Sequence, residues 1–176
     1  MFPSIIEVIW VILPAWMANS AAINVKSFPL LKYISTPMDF GKSYNGKRIL
    51  GDGKTWRGFL AGILAAVLTA FLQSMYPQPG LIHMTPKIGF FLGFGAVTGD
   101  VVESFIKRRS GLDRGHPLFL MDHLDYIFGA FLFGWIVLPP EIIGLYYLFL
   151  ACFLTVPIHF IANIFAWKTG LKKKPW

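Results

Sequence analysis

Apolar residues come in long runs along this chain, at 5–25, 58–76, 88–106, 123–138 and 142–167, and the polar residues are gathered between them. A helix needs about 20 residues to cross roughly 30 Å of hydrocarbon. The pattern therefore predicts an all-α integral membrane protein with five transmembrane helices, organised as a single domain over residues 1–176. The fourth run is short for a span, and the fifth is long enough to tilt. Pro139 and Pro140 end the fourth run, since proline disfavours helix at the residue before it and cannot continue the backbone ladder. A tight hairpin with Glu141 at its tip is expected to lead into the fifth run. The first run has no basic start and passes through Trp10 and Trp16 without a cleavage tripeptide, so it reads as a span and not a leader.

Charge gives the array a direction. Of 16 Lys and Arg residues, all but Lys87 fall within 26–57, 107–114 and 168–174. Basic loops stay cytoplasmic, so five spans place the N-terminus outside and the C-terminus, with both polar loops, inside. Lys172, Lys173 and Lys174 need do no more than orient the chain and meet anionic headgroups. A composition 55% hydrophobic and 14% charged excludes an ordinary soluble domain. The net charge of +7 is explained by orientation before any nucleic-acid role is needed, and no nucleic-acid motif or internal repeat is present. Cys152 reads as a lone buried thiol, and His83 and His159 have no ligand-type neighbours at metal spacing.

Small residues mark packing faces. Ala15, Ala18 and Ala22 share a face of the first helix with Asn19, which suits close helix contact and an interhelical hydrogen bond, or alternatively a ligand contact by Asn19. Gly89, Gly93 and Gly95 thin the third helix and Gly129 and Gly134 the fourth, admitting either a neighbouring helix or a lipid chain.

Ionisable groups inside spans are expensive unless paired, wet or bound to metal. The third run carries Asp100, Glu103, Ser104 and Lys107 at steps of three and four, hence on one helical face. A Glu103–Lys107 salt bridge would account for two of them but not for Asp100, one turn deeper. The fourth run begins Met121-Asp122-His123-Leu124-Asp125, and opposite helix directions bring its acids to the same interface as Asp100. Asp122 alone reads as a helix cap. Asp125 does not, and three converging carboxylates repel unless a cation lies between them; an all-oxygen set suits magnesium and leaves room for phosphate.

The first loop holds Gly41-Lys42-Ser43-Tyr44-Asn45-Gly46-Lys47-Arg48 and then Gly51-Asp52-Gly53-Lys54-Thr55-Trp56-Arg57 just before a helix. Glycines beside Lys, Thr and Arg at a helix start suit phosphate, through backbone N–H groups and the helix dipole. A nucleotide-binding P-loop is excluded, because its first glycine would fall at Arg48 or Thr36 and no strand precedes either. In the second loop, Lys107, Arg108 and Arg114 are placed to hold pyrophosphate near the carboxylates, Arg109 reads as a headgroup contact, and His116 sits in a turn between Gly115 and Pro117.

Three blocks together resemble the membrane-integral CTP-dependent cytidylyltransferases of phospholipid synthesis, most closely their archaeal branch, the CDP-archaeol synthases. They are residues 50–58, residues 99–108, and Asp122 with Asp125, and the short five-span chain fits the same branch over its whole length. The resemblance implies a magnesium-dependent reaction of CTP with a membrane phosphate lipid that releases pyrophosphate. It also implies a metal and catalytic cluster of Asp100, Asp122 and Asp125 with Lys107 beside it. Arg108 and Arg114 would face phosphates, while Gly51, Asp52, Gly53, Lys54, Thr55 and Arg57 would form the substrate loop. Two departures stand out: His123 lies where the broader family has arginine, and residues 116–121 replace its His-Gly-Gly approach.

Two rivals remain to be weighed. A CDP-alcohol phosphotransferase would need two further aspartates in the helix after Asp52-Gly53, where the stretch following Arg57 is apolar. An ion or proton transporter would use Asp100 as a carrier site, but predicts acids near the midplane and often a repeat.

Overall fold

The structure, a computed structural model, describes residues 4–24, 34–112 and 121–168. Five helices are seen: α1 (Ile5–Asn24), α2 (Trp56–Met75), α3 (Pro86–Arg109), α4 (Met121–Gly134) and α5 (Leu145–Lys168). Between α1 and α2, β1 (Ser43–Tyr44) and β2 (Lys47–Arg48) form a small antiparallel hairpin. Among the described residues three helices, α1 to α3, are long and apolar enough to cross a membrane, and α5 carries a shorter apolar stretch at Leu145–Ile161.

Helix α3 is the centre of the bundle, packed against α1, α2 and α4, while α5 lies more sparsely on α4 and α1. Its start is fixed by Thr85, whose hydroxyl accepts from the Ile88 N–H at 3.2 Å, followed by Pro86 in the first turn, where a missing N–H costs nothing. The glycines admit helices. A Cβ at Gly95 or Gly99 of α3 would collide with the α4 backbone at Gly129 or Asp125, and one at Gly93 would strike Ala66 of α2. Backbones in lipid approach this closely only where side chains are absent.

The interior is mostly aliphatic, with Val8, Val11, Ile12, Leu92 and Ile127 fully covered. Several polar groups within it are paired: Trp16 Nε1 donates to Thr155 Oγ1 at 3.0 Å, and Asn19 hydrogen-bonds Tyr126 of α4, the interhelical bond expected of it. At the opposite end Gln73 Nε2 donates to the Trp10 carbonyl at 2.8 Å and Trp10 Nε1 to that of Ile82 at 3.1 Å. His159 meets His123 across the α4–α5 interface, ring centroids 4.6 Å apart, and Cys152 is half-buried against the core. Leu64, Leu132, Phe149 and Phe153 point outward, as a lipid-facing surface requires.

Three boundaries differ from the expectation by three residues or more, one of them the start of α5 at Leu145 against 142. Helix α3 continues through its basic end to Arg109, because Lys107, Arg108 and Arg109 complement the negative end of the helix dipole. Helix α4 stops at Gly134, short of 138, and the chain coils through successive turns, with Val137 and Leu138 N–H groups both on the Gly134 carbonyl. The link to α5 is thus a longer irregular segment and not a tight hairpin.

Candidate active site

One end of the bundle gathers the polar residues. There the first turn of α4, the last turns of α1 and α3, and the 34–55 segment surround two adjoining cavities of about 550 and 520 Å³. The larger is lined by Asp100, Asp122 and Asp125 together, with Glu103, Lys107 and Arg108. The expected carboxylates thus reach one wall. Asp52, Gly53, Lys54 and Asp100 border both cavities, and Thr55 and Arg57 line the smaller, whose remaining walls include Ile23, Phe59 and Val97.

Lys54 and Lys107 are engaged by acids. Lys54 Nζ lies 2.6 Å from Asp100 Oδ1, and Lys107 Nζ bridges Glu103, one turn back on α3, and Asp122 at the start of α4. The Glu103–Lys107 pair read from spacing is present, extended to Asp122. Asp125 has Asp100, Glu103 and Lys54 as charged neighbours, and one of its oxygens accepts from the Tyr126 N–H at 2.7 Å. Asp122 sits in the first turn of α4, where a negative charge complements the helix dipole.

Other expected substrate groups have local duties as well. The Thr55 hydroxyl caps α2, accepting from Gly58 N–H at 3.1 Å. The largely buried Arg57 donates to Ser35 Oγ at 3.3 Å, and Arg108 Nη1 donates to the Leu112 carbonyl at 2.5 Å. Gly51 borders the larger cavity and adopts φ +92°, a turn conformation that a side chain would strain. Arg114 and His116 lie outside the described residues.

Three features escaped the sequence reading. Asn45-Gly46, with φ of 51° and 74°, makes the reverse turn between β1 and β2, a pairing that alone signals a hairpin. Arg109, expected at a lipid headgroup, donates instead to the carbonyls of Tyr44 and Arg48 at 3.1 and 3.0 Å and lies over the Tyr44 ring, tying α3 to the hairpin. Asp39 is the third. Its side chain has no exposed surface and accepts from Arg48 and from the N–H groups of Gly41, Leu50 and Gly51. Burial alone would raise its pKa, but the Arg48 guanidinium and those three N–H groups outweigh it and hold the carboxyl well below the usual carboxylate range.

An apolar helical bundle with a lysine- and carboxylate-lined cavity at one end has the form of an intramembrane enzyme acting on anions. The comparisons agree. The family described as "CarS-like: CDP-archaeol synthase" matches residues 1–176. A CDP-archaeol synthase of Pyrococcus horikoshii is 38% identical over 98% of this chain and 97% of its own length, and one of Methanocaldococcus jannaschii is 37% identical over 96% and 95%. A solved intramembrane enzyme for archaeal membrane lipids biosynthesis superposes with a TM-score of 0.73 at 31% identity, covering 93% of this chain and 96% of that one. The chain belongs to the CDP-archaeol synthase family.

Proposed function

We infer that this protein transfers the cytidylyl group of CTP to the phosphate of an archaeal ether glycerol lipid, giving a CDP-archaeol-type lipid and pyrophosphate. The observation that carries the reading is the meeting of Asp100, Asp122 and Asp125 with Lys54 and Lys107 at one cavity of a chain that the family model matches over residues 1–176. A lipid phosphate oxygen attacks the α-phosphorus of CTP; the new P–O bond forms as the bond to the β-phosphate oxygen breaks, and that oxygen leaves on pyrophosphate. The phosphate is already a nucleophile, so no side chain needs to be covalently modified, and catalysis rests on charge and alignment. In this reading Lys54 and Lys107 turn from their carboxylates to substrate phosphates, Arg57 and Arg108 add positive charge from the two cavity walls, and the 51–53 turn supports the nucleotide.

Magnesium fits the donor chemistry. Three aspartates lining one cavity form an all-oxygen set, and the crowding of Asp125 by Asp100 and Glu103 is the kind of like-charge cluster a divalent cation relieves. No group of three or more His, Cys, Asp or Glu among the described residues is disposed to hold an ion, and Asp100 and Asp122 are paired with Lys54 and Lys107, so the reading requires the lysines to release them. Asp100, Asp122 and Asp125 would hold the ion, which when bound supplies charge neutralisation to the triphosphate.

The proposal extends to topology: residues 1–176 act as one catalytic domain whose five helices all lie in the membrane, N-terminus outside, with the cavities and the C-terminus facing the cytoplasm.

The test is an assay of the purified protein with magnesium, each of the four nucleoside triphosphates, and a phosphorylated ether or ester lipid. A CDP-lipid and pyrophosphate in equal amounts are expected, with CTP strongly preferred; a digeranylgeranyl glycerol phosphate is the acceptor the archaeal branch implies. Release of CMP from a preformed CDP-alcohol would favour the phosphotransferase, and no nucleotide-dependent lipid product from folded protein would overturn the reading.

A further inference from the structure

We propose that Asp39 is a positioning residue for the nucleotide: its carboxylate is the internal anion around which the 39–54 loop closes, setting where Lys54 and the 51–53 turn meet CTP. The inference rests on the cytidylyltransferase reading. Asp39 lines neither cavity, so it acts through the groups it holds.

Its contacts span the whole loop. Asp39 Oδ1 accepts from Arg48 Nη2 at 2.6 Å and from Gly41 N–H at 3.1 Å, while Oδ2 accepts from Leu50 and Gly51 N–H groups at 3.0 Å and from Arg48 Nε at 3.2 Å. A two-pronged guanidinium contact plus three backbone donors is the environment a protein usually offers a phosphate, here filled from within. The order it imposes reaches the cavity in two short steps. The Lys54 N–H bonds the Gly51 carbonyl at 3.3 Å, and the Lys54 carbonyl accepts from the Met38 N–H, next to Asp39, at 2.8 Å. Lys54 is thereby fixed at both backbone groups, and its ammonium lies 2.6 Å from Asp100.

A consequence is a division of labour within the loop. The N–H groups of Gly41, Leu50 and Gly51 are spent on Asp39 and do not serve substrate phosphates, which leaves that task to side chains facing the cavities, Lys54 and Arg57 first.

Asp39→Asn keeps the shape but loses the charge and half of the accepting capacity. Two readouts on the purified protein decide the matter. Amide hydrogen exchange at Gly41, Leu50 and Gly51 reports the internal site without reference to activity, and is expected to quicken ~tenfold or more, as befits lost bonds to a charged group. The KM for CTP is expected to rise by a similar ~tenfold or more, with kcat and the KM for the lipid phosphate within about threefold of the parent. Arg48→Gln also removes the Arg48–Asp52 ion pair, so it should raise the KM for CTP as well, and the double variant should fall short of the sum of the two single changes, because they share the Asp39–Arg48 contact. Should Asp39→Asn not fold, Arg48→Lys takes its place with the same expectation. Unchanged exchange, an unchanged KM for CTP, or a parallel loss in kcat and both KM values with a lower unfolding midpoint would each overturn the proposal. Equilibrium dialysis with CTP accompanies both readouts. A parent protein that binds CTP yet forms no CDP-lipid sinks the activity reading alone, and the variant's affinity for CTP then decides the role of Asp39.

Discussion

Lys107 shows how much the site depends on single groups: one ammonium joins acids of two helices, and it has only to move for both to be released. Lys54 stands in the same relation to Asp100. Asp100→Asn, Asp122→Asn and Asp125→Asn are each expected to lower kcat by about 10²–10³-fold, the usual cost of one preorganised charge at a transition state, in protein that still folds. Glu103→Gln should be milder, since its carboxylate shares Lys107 with Asp122. Steady-state rates at limiting magnesium check this, and full activity in any of the three Asp variants removes that residue from the assignment. Asp39 belongs to a different kind of group. Because its folded pKa is lowered, the stability it contributes is present above the unfolded value of about 3.9 and is lost only as pH falls toward the depressed one. The loop therefore keeps its shape through the neutral range.

At the scale of elements, the α3–α4 seam decides whether the carboxylates meet. Gly95 and Gly99 lie against Gly129 and the Asp125 backbone, so the seam that packs the helices also sets the distance of Asp125 from Asp100. Gly129→Val should lower the thermal unfolding midpoint, as overpacking costs about 1–3 kcal/mol, and reduce turnover with it. Gly144→Ala, where the nearest atom to an added Cβ is 3.9 Å away, should change neither. A normal midpoint in Gly129→Val would show that the seam is not close-packed. Helix α3 was legible because its apolar run ends in acids and bases at helical spacing, whereas the end of α4 was not, since residues 135–138 are apolar and look like more helix. The hairpin was legible in principle from Asn45-Gly46, but two-residue strands carry too little periodicity to stand out. Asp39 could not be found by pattern, for its partners are spread from Gly41 to Gly51 and only the folded loop gathers them.

At the scale of the molecule, the concentration of basic residues made one active end legible, because a membrane separates polar chemistry along the chain as it does in space. Single cysteines introduced at 45 and 80 in a Cys152→Ser background should label from opposite sides of sealed vesicles, 45 from the cytoplasmic face and 80 from outside. Labelling of 45 from outside would invert the proposed orientation. The short fourth helix has one more effect. Its 14 residues rise about 21 Å, against roughly 30 Å of hydrocarbon, so under the proposed five-span topology the bilayer around α4 would thin or the apolar turn beyond Gly134, with Trp135 and Ile136 turned outward, would sink into it. Either adjustment costs fractions of a kcal/mol per ångström of mismatch. Since α4 also carries Asp122 and Asp125, the thickness of the host membrane would in that topology act on the same helix that lines the proposed catalytic cavity, making lipid composition a mechanical input to the site.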